Sequence, residues 1–195
     1  MDINNLYKKI NVKQGIGCEI SEFCSLENVS LGDHVRLGDG VQLKNVVIGD
    51  GSKLGVNVRL YSPDALRPVK IGRECHLAYG VFGEATGGEI IIDDYAVVAH
   101  RTIFLTSSGP GKGNPVMAAL YPEQQGSIHA GKYCWLGTQC TVLPGSLLAE
   151  GVVLGAHSLA TGGDYEAWTV YGGVPAKVLK KLDPIKVAQA KSLKK

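Results

Sequence analysis

Apolar residues, nearly all aliphatic, recur every six positions through most of this chain. They stand at Leu31, Leu37 and Leu43, at Ile48, Leu54 and Leu60, at Ile71 and Leu77, and at Ile92, Val98 and Phe104. The longest unbroken series is Ala130, Leu136, Val142, Leu148, Leu154 and Ala160. Glycine often follows the aliphatic residue, as in Leu37-Gly38, Leu54-Gly55, Leu136-Gly137 and Leu154-Gly155. A helix repeats every ~3.6 residues and a strand every two, so neither produces this period. A short fixed repeat marks a β-solenoid, in which each unit buries its apolar side only by stacking on its neighbours.

A second position keeps the same beat. Four residues after each anchor sits a small or β-branched residue: Val35, Val41, Val47, Ser52, Val58, Cys75, Val81, Ala96, Thr102, Cys134, Cys140, Ser146, Val152 and Ser158. A narrow coil admits one large inward side chain per side, so close packing requires the other inward residue to be small. The 26 glycines suit tight corners that need a positive φ or have no room for a Cβ.

The 195 residues are enough for one domain, and a net charge of +2 with no basic stripe argues against nucleic acid. The polar stretch Met1–Lys13 lacks the apolar centre of a secretory leader, and no run of about 18 apolar residues predicts a membrane span. Cys18 and Cys24 are six apart, as are Cys134 and Cys140, and Cys75 falls on the same inward beat. That is repeat spacing, not a metal or redox pair, so the five cysteines read as small core residues of a cytoplasmic protein. The expected organisation is an N-terminal arm or helix over 1–15, solenoid over 16–161, and a terminating segment with a C-terminal helix over 162–195. Segments 61–70 and 83–89 break the beat briefly, and 106–127 is an extruded loop long enough to be functional.

Three stretches resemble the hexapeptide-repeat acyltransferases, most closely their sugar O-acetylating branch. Gly131-Lys-Tyr-Cys-Trp-Leu-Gly-Thr-Gln-Cys-Thr-Val-Leu-Pro-Gly145 matches that family's tryptophan-containing coil, and Leu154-Gly-Ala-His-Ser-Leu-Ala160 matches the next. Trp168-Thr-Val-Tyr-Gly-Gly-Val-Pro-Ala-Lys177 matches its terminator, with Val174 where asparagine is usual. The resemblance implies an all-β fold, a left-handed parallel β-helix of hexapeptide repeats, assembled as a homotrimer with acetyl-CoA in a groove between subunits. It implies O-acetylation of a sugar, in surface polysaccharide biosynthesis.

Acetylating a hydroxyl needs a base. In the family a histidine opens the long loop; Gly109 occupies that seat here, and 106–127 contains no histidine. Three others are candidates for the catalytic role. His100 lies two residues after anchor Val98 and is expected to project outward near the loop base. His129 follows the loop directly, and His76 follows inward Cys75. His34 and His157 occupy ordinary outward positions. Ser107 and Ser108 are candidate donors to the acceptor, and Trp135 is an outward aromatic suited to a groove wall. Small residues Gly137, Thr138, Gly155, Ala156 and Ser158 are expected to admit the pantetheine arm, and Pro175 to close the coil with Lys177 and Lys180 near the CoA phosphates. Three rivals stand beside this reading: N-acetylation of a nucleotide-linked amino sugar, which needs less of a base, a non-catalytic trimeric scaffold, and a zinc enzyme of the γ-carbonic-anhydrase kind. The last needs three histidines, two of them about five residues apart; the nearest pair here, His76 and His100, is 24 apart, so no metal is expected.

Overall fold

A computed structural model describes residues 7–111 and 113–193. The chain winds into coils of three short strands, one per face of a triangular prism. The first face is a nine-stranded sheet running from Glu19–Ile20 through Arg36–Leu37, Lys53–Leu54 and their successors to Thr169–Gly172 and Lys177–Lys181. The second and third faces form one thirteen-stranded sheet, because strands Ser25–Leu31 and Gln42–Ile48 bend round the corner between them. Pairing between successive coils is parallel and places like on like, with Leu54 beside Leu77 and Val98 beside Leu136. Each anchor therefore lies about 4.8 Å above its counterpart, and the apolar column is continuous. Among the described residues no helix is long and apolar enough to cross a membrane.

The six-residue beat is this column seen in sequence. Leu37, Leu54, Leu77, Val98, Leu136 and Leu154 are buried, and so are their small partners Val35, Ser52, Cys75, Ala96, Cys134 and Val152. The glycine after an anchor is needed because the next coil's backbone crosses there. A Cβ on Gly32 would stand 2.1 Å from Asp50 Oδ1, the carboxylate oxygen that accepts the Asp33 N–H at 2.9 Å. On the second face the column runs Leu60, Gly83, Phe104. Fully buried Phe104 packs beside the coil where glycine leaves room, so size is balanced between neighbours rather than within one coil.

Val47 departs from the expectation. It is exposed, and Val46 turns inward instead. Asn45 rounds the corner with φ 54°, one residue earlier than the beat assumes. Asn11, Asn28 and Asn45 stack at this corner, each amide donating to the next at 2.9 and 3.0 Å, and Asn45 finally donating to the Ser62 carbonyl at 2.7 Å. From Ser62 onward the same corner hosts all the interruptions. The excursion after Leu60, the one after Glu84 and the long loop after Leu105 all leave from the end of a second-face strand. The long loop contains helix α1 (Pro115–Leu120), capped by Asn114, and a hairpin pairing Ser107–Ser108 with Gln124–Gln125.

The ends also differ from the sequence expectation. Residues 9–14, expected in an arm or helix, form a strand paired with Ser25–Leu31, while 1–6 lie outside the described residues. Solenoid pairing continues beyond 161, because Gly163–Tyr165 and Thr169–Gly172 add to the third and first faces. Tyr165 and Tyr171 take the anchor positions there, phenol rings where the earlier anchors had been wholly apolar. Strand Lys177–Lys181 folds back antiparallel, and helix α2 (Pro184–Ser192) follows with Asp183 as its N-cap.

All five cysteines are free thiols. Burial raises the pKa of four of them, to about 12 for Cys134 and about 11 for Cys75, with Cys24 and Cys140 moving the same way. A thiol reagent at pH 8 should therefore modify only half-buried Cys18 in the native protein and all five cysteines after guanidinium unfolding, a count read by absorbance or mass spectrometry.

Candidate functional site

The third face carries an outward row set by strand register: Lys70, Ile91, His129, Leu147 and Asp164. His129 leaves the face just before anchor Ala130, and Asp93 comes just after anchor Ile92 on the neighbouring coil. Because those anchors stack, the two side chains meet, with His129 Nε2 2.7 Å from Asp93 Oδ2. The carboxylate orients the ring and leaves Nδ1 directed away from the pair.

This pair opens on a groove of about 490 Å³, also lined by Lys132, Glu150, Asp164 and Glu166. Glu150 is paired with Lys191 of α2, and Glu166 with Lys181. Asp93 and Asp164 against Lys132 then leave one negative charge in excess among the lining side chains, a bias suited to a cationic group. Its rim is an aromatic corner. Tyr95 and Tyr133 stack with centroids 5.3 Å apart, and Trp168 follows at 6.2 Å from Tyr133. Lys132 Nζ lies over both tyrosines and Lys191 Nζ over the tryptophan. Tyr95, Tyr133 and Trp168 all have φ between 53° and 62°, a backbone region that bulky residues seldom adopt.

The other candidates lie elsewhere. His100 is at the corner between the first and second faces, before strand Ile103–Leu105, whereas the loop leaves after that strand. It is therefore at the far end of the strand from the loop base where the sequence suggested it would project. His76 lies on the first face in the same outward row as Val97 and Trp135, and Trp135 is 56% exposed. His34 and His157 occupy corners with positive φ. The Ser107 hydroxyl is 2.8 Å from Thr86 Oγ1, and neighbouring Ser108 is exposed in the hairpin.

The small-residue row is continuous. Gly137 and Thr138 lie one coil from Gly155 and Ala156 on the corner that also holds His100, with Gln139 N–H donating to the His100 carbonyl and His157 N–H to the Thr138 carbonyl. The Ser158 side chain points inward, its Oγ accepting the Gly173 N–H at 3.2 Å, so only its backbone is available outside. Pro175 lies in the turn before strand Lys177–Lys181, which carries Lys177 and Lys180. Gly109 cannot become the missing loop histidine without moving the hairpin, because a Cβ there would stand 2.8 Å from the Glu123 Cα. Among the described residues there is no cluster of metal-ligating side chains.

No protein-family model matches the chain. Among curated proteins it is 30% identical over 162 residues to an Escherichia coli dTDP-4-amino-4,6-dideoxy-D-glucose acyltransferase, covering 80% of this chain and 73% of that protein. The chain belongs to the hexapeptide-repeat acyltransferases, and its fold is their left-handed parallel β-helix. It is also 31% identical over 117 residues to the putative lipopolysaccharide biosynthesis O-acetyl transferase WbbJ of E. coli K12, covering 60% of this chain and about half, 52%, of that one. Among solved structures, a variant of AntD, an N-acyltransferase from Bacillus cereus in complex with dTDP and coenzyme A, superposes with a TM-score of 0.63 at 21% identity, covering 94% of this chain and 90% of that one.

Proposed function

We propose that this acyltransferase moves an acetyl group from acetyl-CoA to the amine of a sugar carried on a nucleoside diphosphate. The observation that carries this reading is the His129–Asp93 pair standing in an acid-biased groove. The acidic bias attracts the acceptor as an ammonium ion, which must release one proton to solvent before its nitrogen attacks the thioester carbonyl. As the C–N bond forms, the nitrogen of the tetrahedral intermediate gives its second proton to His129 Nδ1, and Asp93 stabilises the imidazolium. The C–S bond then breaks, and the imidazolium returns the proton to the CoA thiolate. The products are an N-acetyl sugar and free CoA. An amine is a better nucleophile than a hydroxyl, which is consistent with glycine in the seat of the family histidine. The similarity to an amino-sugar acyltransferase over most of both chains supports the same acceptor class.

The pantetheine arm is assigned to the backbone along Gly137, Thr138, Gly155 and Ala156, with Lys177 and Lys180 near its phosphates. That row and the His129 groove lie on different sides of one prism, so a homotrimer, in which a second copy brings its groove against the row, completes the site. The free thiols support a reducing compartment, the cytoplasm. O-acetylation of a surface-polysaccharide sugar is the second reading, favoured by the similarity to WbbJ. Thiol release from acetyl-CoA with a dTDP-linked 4-amino-4,6-dideoxyglucose and with its 4-hydroxy counterpart separates the two. Amine turnover at least about a hundredfold faster is expected, within the span general-base chemistry commands. Faster hydroxyl turnover moves the assignment to O-acetylation, and no turnover with either leaves a non-catalytic scaffold.

A further inference from the structure

The chain has five arginines. Three are ion-paired: Arg36 with Glu19, Arg67 with Asp64 and Arg73 with Asp94. Among the described residues the other two, Arg59 and Arg101, have no ion pair, and both line one cavity of about 250 Å³ together with Asn57, Tyr79 and Phe82. No carboxylate lines it. Arg101 has φ 57° at a corner position that is glycine in other coils, such as Gly40 and Gly80. Its stem lies over Gly80, where an added Cβ would be 3.4 Å from Arg101 Cγ, and its guanidinium sits 5.6 Å from the centre of the Tyr79 ring. An unfavourable backbone conformation thus holds a charged fork against an aromatic face, and the second fork, Arg59, stands two coils away across Phe82 on the rim of the same cavity.

Two unpaired guanidiniums match the oxygens of a diphosphate, and half-exposed Tyr79 and Phe82 offer faces for a planar ring. We infer that this cavity binds a nucleoside diphosphate, the carrier portion of the acceptor. Position argues for the acceptor rather than the donor. Tyr79, His100, Thr138 and Ala156 occupy equivalent places in successive coils of one prism edge, as the backbone bonds from Arg101 to Tyr79, Gln139 to His100 and His157 to Thr138 record. The arginines stand at the N-terminal side of the row assigned to pantetheine. Arg101 is two coils, roughly 10 Å, from Ala156. An acceptor anchored there extends its sugar toward the thioester from one end while the donor arm enters from the other.

The inference rests on the amino-sugar reading, and titration calorimetry tests it apart from turnover. The probes are dTDP and CoA, with Arg59→Ala, Arg101→Ala and Arg101→Lys. dTDP affinity should fall about 10–100-fold in either alanine variant and less in the lysine variant, which keeps charge but loses the fork, while CoA affinity stays within threefold. Both arginines are exposed, so circular dichroism melting should be unchanged. A fall in CoA affinity instead keeps the nucleotide site and assigns it to the donor's ADP portion. Unchanged affinity for both probes, or a wild-type protein that takes up neither, overturns the site. The two proposals fail separately. Loss of dTDP binding in Arg101→Ala with no amine acylation by the wild type sinks the reading and keeps the site. Amine acylation with the same acceptor KM in all three variants does the reverse.

Discussion

His129→Asn should lower the turnover of acetyl transfer by about 10²–10⁴, the range of a positioned proton acceptor. Asparagine keeps a polar group beside Asp93 but cannot take the proton. Binding of acetyl-CoA, measured by calorimetry, should stay near wild type, because the residue lies off the edge that holds the small-residue row. Asp93→Asn should have a smaller effect, about 10–100-fold, since the ring remains but loses the carboxylate that orients it at 2.7 Å. His76→Ala is the control, and it should retain turnover within about tenfold, below the span expected of a lost general base. A larger loss in His100→Ala than in His129→Asn transfers the proton to the residue on the edge and removes the groove from the reaction.

The second large effect is on stability. Phe104 is fully buried at the coil that feeds the long loop, and its neighbour in the column is Gly83. Phe104→Ala should cost about 3–5 kcal/mol, because a rigid prism cannot collapse around the space left behind. Denaturant unfolding followed by circular dichroism reads this as a lowered midpoint. Gly83→Leu alone should destabilise by about 1–3 kcal/mol through overpacking, since even a Cβ there would lie 2.8 Å from Leu60 Cδ2. In the Phe104→Ala background the same substitution should recover part of the loss. Strictly additive effects would show that the two positions do not share one volume.

The prism itself was legible in sequence, because each inward residue reports a local constraint repeated many times. Leu136, Val142 and Leu148 fall on the beat and are buried, as are the small Cys134, Cys140 and Ser146 between them. The beat failed where the constraint changed form. Asn45 shortened a corner and sent Val47 outward, and Tyr165 and Tyr171 continued the anchors with phenol rings. The site was less legible. His129 and Asp93 are separated by 36 positions and become neighbours only because the long loop returns the chain to the register it left. Anchor arithmetic held the clue: Ile92 stacks on Ala130, which brings the residue after one near the residue before the other. Arg59 and Arg101 carry no motif, and their shared cavity depends on side-chain direction at a corner that sequence leaves open.

One edge of the prism accepts a single asparagine at Asn28 and Asn45, yet releases the whole stretch from Thr106 to Ser127 between two strands that still pair with their neighbours. Lengthening a connection whose ends are already held costs little, because closure entropy grows only with the logarithm of length. The architecture therefore separates inheritance from experiment: the spiral body is copied coil by coil, while novelty accumulates at a seam where an insertion leaves the next turn in register.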